Sequence, residues 1–143
     1  LNNLQPDVKA KSLNFTYPET ASGVIVAPED YDLILDCTAE NAVLLALAAT
    51  PWKAEKLFIS MSMTWGAQAL AVWSSRGTAF PALNAIERLD LLAERHRGPG
   101  ERQEVIEGIG CWHPVFPADA ADVQVLAGIG AKFVLEMISG GDE

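Results

Sequence analysis

The sequence predicts an α/β domain, a mixed sheet with flanking helices. Three observations predict it. Leu33-Ile34-Leu35 is a short apolar run closed by Asp36, the pattern of a strand buried on both faces of a parallel sheet. An Ala/Leu-rich stretch, Glu40 to Thr50, follows at once and ends at Pro51. Two further strand-like runs, Leu57 to Thr64 and Ala67 to Ser74, are separated by a short break at Gly66, which reads as an antiparallel hairpin. A strand–helix–strand unit followed by a hairpin makes a mixed sheet.

Each element has its own justification. Residues 1–30 are turn-rich, with Pro6, Pro18, Gly23 and Pro28 around two short apolar stretches, Val8 to Tyr17 and Gly23 to Ala27. Both stretches can form strands, and Pro18 and Pro28 would stop them, because proline donates no ladder hydrogen bond. Tyr31 to Asp36 is the first clear strand, and Thr38 suits the N-cap of the helix after it. Leu57 to Thr64 alternates Ser and Met in its second half, as a half-covered strand does. Met61 and Met63 are therefore packing residues. Leu83 to Arg97 reads as an amphipathic helix, with Leu83, Ile86, Leu89, Leu92 and Ala93 near one face. Gly98-Pro99-Gly100 stops it. Residues 98–117 form a long connection, and long connections in compact domains tend to be functional. Ala118 to Ser139 is the last helix, with Val123, Leu126, Ala127, Gly130, Val134 and Met137 near helical spacing. Glycine weakens a helix, so Gly128 and Gly130 imply a closely packed neighbour.

The 143 residues amount to one domain. Half of them are hydrophobic and 20% are charged, an ordinary globular composition. A net charge of −9 and a pI near 4.6 argue against nucleic-acid binding, which needs clustered Lys and Arg. No apolar run approaches the roughly 18 residues of a membrane span. Cys37 and Cys111, with no CxxC, are too few for a disulfide framework or a four-cysteine zinc site. The chain begins at Leu1 with no signal-peptide pattern. A cytoplasmic location is expected, in a portion of a longer protein.

Asp36 is the sharpest chemical feature. In open α/β sheets, ligands bind beyond the carboxyl ends of the strands. A carboxylate there can hold Mg²⁺, which bridges to substrate phosphates, and the following helix offers N-terminal amides to an anion. Asp36, Cys37 and Thr38 can thus line a nucleotide–metal site. Alternatively, Asp36 caps the turn into the helix. Cys37 by itself, between strand and helix, reads as a packing residue. Cys111 lies in the loop Gly108-Ile109-Gly110-Cys111-Trp112-His113-Pro114. A nucleophilic thiolate needs reach and an electropositive neighbour, and His113 shares its face in an extended backbone. A buried cysteine acting as a small hydrophobe is the alternative. No GxGxxG follows a strand, and no GxxxxGK[ST] or HExxH occurs.

The order of elements resembles a known family. Tyr31-Asp32-Leu33-Ile34-Leu35-Asp36-Cys37-Thr38 before an Ala/Leu-rich helix resembles the D-x-V-x-D-C-T-D-N segment of ThiF/MoeB/HesA adenylyltransferases, the ubiquitin-activating-like enzymes. Leu4-Gln5-Pro6-Asp7-Val8 resembles that family's L-N-P-x-V, and Leu57 to Trp73 resembles its P-L-V-S-A-S-V-x-G-x-x-G-Q-L-x-V hairpin. Cys111-Trp112-His113-Pro114-Val115-Phe116-Pro117-Ala118 and the helix after it resemble the crossover loop and final helix of divergent bacterial members.

The resemblance implies a Rossmann-like mixed sheet lacking its N-terminal nucleotide-loop unit. Residues 1–143 would be the C-terminal part of one domain, with residues 98–117 as its crossover loop. It implies ATP and Mg²⁺ as cofactors, with Asp36 as the metal aspartate and Asp36, Cys37 and Thr38 against the nucleotide. It implies a ubiquitin-like or sulfur-carrier protein as substrate, adenylated on its C-terminal carboxylate, and Cys111 as the residue for a thioester or persulfide step. A homodimer is implied for the complete domain, and no zinc, because the paired CxxC motifs are missing. Ala39-Glu40 stands where the family has D-N, so contacts made there are not carried over. The family's upstream Asn, Arg and Lys have no counterpart in these residues, so the chain alone is expected to be inactive. Part of a nicotinamide-dependent dehydrogenase and a non-catalytic Rossmann-like interaction domain are the alternatives.

Overall fold

The computed structural model describes residues 30–96 and 118–140. The expected strands at Val8 to Tyr17 and Gly23 to Ala27, and the connection 98–117 with Cys111 and His113, lie outside the described residues. The elements run β1 (Leu33–Asp36), α1 (Asn41–Ala49), β2 (Lys56–Met63), β3 (Leu70–Gly77), α2 (Ala82–Arg95) and α3 (Ala120–Ser139). The sheet has the order β1-β2-β3. β1 pairs with β2 in parallel, and β2 pairs with β3 antiparallel. The mixed α/β sheet that the sequence predicts is therefore present.

The strand register sorts side chains onto two faces, because successive residues of a strand point in opposite directions. Ile34, Phe58 and Trp73 share the face covered by α1 and α2. Leu44 and Leu47 of α1, Trp52, Phe58, Phe80, and Ala82 and Ala85 of α2 form the buried core there, with Ile34, Val43, Trp73, Ile86 and Leu89 packed against it. Phe58 is fully buried and lies edge-on to Trp52 and to Phe80, at ring separations of 5.1 and 5.3 Å. Edge-to-face contacts place a ring's positive rim against a neighbour's negative face. The Trp52 indole N–H donates to the Leu47 carbonyl at 2.9 Å, so the tryptophan also ties off the end of α1.

Leu57, Ile59 and Met61 point to the opposite face, where α3 packs. At Gly130 an added Cβ would lie 3.1 Å from Leu70 Cδ2 and 3.2 Å from Met61 Sδ. The absence of a side chain at Gly130 is thus what lets α3 approach the sheet. Gly128 differs: nothing lies within 4 Å of where its Cβ would be, so close packing explains only one of the two glycines. The Arg76 guanidinium donates to the Met137 carbonyl at 3.0 Å, linking β3 to the last turn of α3. The Asp119 carboxylate caps the other end, accepting from the Ala121 N–H at 2.7 Å.

Several expectations are corrected. β1 is not buried on both faces: among the described residues it is an edge strand, and Leu35 is 44% exposed. α3 lies over β2 and β3 and leaves that edge uncovered. β3 begins at Leu70 rather than Ala67, because Trp65–Ala67 form a 3₁₀ turn in which Gly66 and Ala67 have φ of 69° and 50°. Thr64 closes this connection: its N–H donates to the Ala69 carbonyl, and its Oγ1 accepts from the Ala69 N–H, both at 2.9 Å. The inward face of α2 keeps Ile86 and Leu89, packed against the core as expected, but takes in Ala82 and Ala85 in place of Leu83. Ala82 and Ala85 are buried and Leu83 is 79% exposed, since small residues seat the helix against the aromatic core. No helix among the described residues is long and apolar enough to cross a membrane.

Two outcomes follow from this packing. Phe58→Ala removes a buried ring and two aromatic contacts, and chemical denaturation should show a loss of about 3–5 kcal/mol. Gly128→Ala should raise stability by about 1 kcal/mol through helix propensity alone. Gly130→Ala should gain less, because Leu70 and Met61 must give way. Equal gains at the two positions would contradict the close approach at Gly130.

Candidate nucleotide–metal site

The site begins with register. Parallel pairing places Asp36, the last residue of β1, beside Ser60 in the buried half of β2. Asp36 is 6% exposed and Ser60 2%. A charge removed from water needs hydrogen-bond donors in its place, and three are present. Asp36 Oδ2 accepts from the Ser60 hydroxyl at 2.7 Å. Oδ1 accepts from the Thr38 N–H at 3.0 Å and from the Thr38 hydroxyl at 2.6 Å. Thr38 Oγ1 in turn accepts from the Glu40 N–H at 3.2 Å. A chain of bonds thus runs from the middle strand through the carboxylate to the start of α1.

This geometry overturns the N-cap role expected of Thr38. The helix starts at Asn41 with Glu40 at its N-cap, and no side chain caps that end. Thr38 is engaged with Asp36 and with the Glu40 amide instead. Between them Ala39 adopts φ 57°, a left-handed conformation that delays the helical turn. Asp36 therefore does brace the turn into the helix. Its ligand role is compatible with that, because a carboxylate oxygen has two acceptor positions and Oδ2 receives a single bond among the described residues. Cys37 is exposed and is not packed between strand and helix.

The group that could face a cation is the Asp36 carboxylate, an oxygen ligand, whose orientation the Thr38 and Ser60 hydroxyls fix. That suits a hard cation. Among the described residues no group of three or more His, Cys, Asp or Glu could hold a metal ion. Magnesium fits even so, because it usually takes one or two carboxylates and completes its shell with phosphate oxygens and water. Ser60 is the residue that sequence reasoning missed. A serine in the buried half of a strand otherwise lined by Leu57, Phe58 and Ile59 was the available signal, and only the register shows what it serves. Cys111 lies outside the described residues, so it is not placed relative to Asp36.

Comparison with known proteins is consistent in direction. No protein-family model matches the chain. A curated relative does. The chain is 42% identical over 139 residues to a protein of Enterobacter hormaechei subsp. hoffmannii (strain UCI 50) named ATP-dependent ubiquitin transferase-like protein Cap2. The match takes in 97% of this chain and 23% of that relative. The chain thus spans about a quarter of the relative's length.

The turn generates its own test. A left-handed alanine costs about 1–2 kcal/mol, and glycine there would give back about 0.5–1 kcal/mol in chain entropy. Ala39→Gly should therefore raise the thermal midpoint modestly, and Ala39→Val, with a branched Cβ, should lower it. A fall in midpoint for the glycine variant would mean that Ala39 is not left-handed in solution.

Proposed function

We propose that this chain is the C-terminal portion of a ThiF-like domain that adenylates the C-terminal carboxylate of a ubiquitin-like or sulfur-carrier protein. The observation that carries this reading is the 42% identity, across nearly all of the chain, to a protein named as an ATP-dependent ubiquitin transferase-like protein. The placement of Asp36 supports it. A buried carboxylate at the carboxyl end of a parallel strand, ahead of a helix with no side-chain cap, is where an α/β sheet binds a nucleotide.

In this reaction an oxygen of the substrate carboxylate attacks the α-phosphorus of ATP. An acyl–phosphate bond forms, the bond to the β-phosphate bridging oxygen breaks, and pyrophosphate leaves with that electron pair. Magnesium would neutralise charge on the phosphates as it builds. Asp36 would hold the metal through Oδ2. Thr38 would fix the carboxylate and the loop, and Cys37, exposed beside them, would border the nucleotide. Cys111 would then take the acyl group: its thiolate attacks the acyl carbon, a thioester forms, and AMP leaves. Basic side chains for the phosphates would come from upstream of these residues.

Calorimetric titration of Mg·ATP tests the proposal. The complete protein should bind, Asp36→Ala and Asp36→Asn should bind at least about tenfold more weakly, and residues 1–143 alone should not bind. Asn is the gentler change, since its amide can donate to Ser60 while its carbonyl still accepts from Thr38. A complete protein that ignores Mg·ATP would sink the adenylation reading in favour of a non-catalytic domain. If binding holds, trapping the carrier protein as a thiol-sensitive adduct, lost in Cys111→Ser, tests the second step.

A further inference from the structure

We draw no further inference here: the strongest candidate, the exposed apolar patch on the outward side of α3 formed by Val125, Ile129 and Leu135, carries no proposal because nothing in the structure shows what covers it.

Discussion

A carboxylate shielded from water by its own strand neighbours is the constraint on which the rest of this site depends. Asp36 is buried, and burial is tolerable only because Ser60 and Thr38 supply three donors. The Thr38 donors are local to the turn, but the Ser60 hydroxyl can reach the carboxylate only if β1 and β2 pair in parallel with Asp36 beside Ser60. A slip of one residue would turn Ser60 away and leave Oδ2 without that donor, a cost of about 1–3 kcal/mol. The same slip would exchange the two faces of β1. Polar satisfaction and apolar packing therefore select the same register.

The two sides of the sheet are built by different means. On the α1 and α2 side the gap is filled by rings: Phe58 lies between Trp52 and Phe80, and Trp73 touches Phe80 at 5.3 Å. Alanines at 82 and 85 let α2 come down onto those rings. On the α3 side the gap is closed by removing bulk, with Gly130 facing Leu70 and Met61. The rings gather around Phe58, two residues before Ser60 on the same face of β2. The aromatic packing thus holds the strand that presents the serine hydroxyl, and stability of the core and geometry of the site share one element.

Much of this architecture is legible in the amino-acid order, and the misses have physical causes. The runs at 33–36, 41–49 and 56–63 are strongly apolar and bounded by Asp, Pro or charged residues, so periodicity and punctuation locate them. The start of β3 is not legible. Trp65-Gly66-Ala67 continues an apolar pattern, and nothing in it announces that Ala67 takes a positive φ. Ile86 and Leu89 are read correctly, but Leu83 is misread as inward because leucine outranks alanine in hydrophobicity, whereas the buried positions of the first turn are Ala82 and Ala85, in one cluster with Phe80. Thr38 has the chemistry of an N-cap. Its hydroxyl proton goes to Asp36 and its oxygen accepts from the Glu40 N–H, but the helix begins only at Asn41, so that bond braces the turn rather than capping the first helical amides. The Asp36–Thr38 part of the site is visible from sequence as an acid followed two residues later by a hydroxyl. Ser60 is 24 residues further on and is joined to Asp36 only by tertiary pairing.

Charge sets the last step. The hydrogen bonds that satisfy Asp36 come from neutral groups, so they stabilise its charge without cancelling it. Glu40 at the N-cap of α1 adds a second carboxylate where helix amides would otherwise favour an anion. A triphosphate approaching this end of the sheet meets negative charge from protein and ligand together. Coulomb repulsion between unit charges about 4 Å apart costs around 4 kcal/mol at an effective dielectric near 20. Under the proposed reading, a divalent cation held by Asp36 would supply the charge that offsets this repulsion. On that reading, the Asp36 carboxylate would repel a bare nucleotide and accept one that arrives with magnesium.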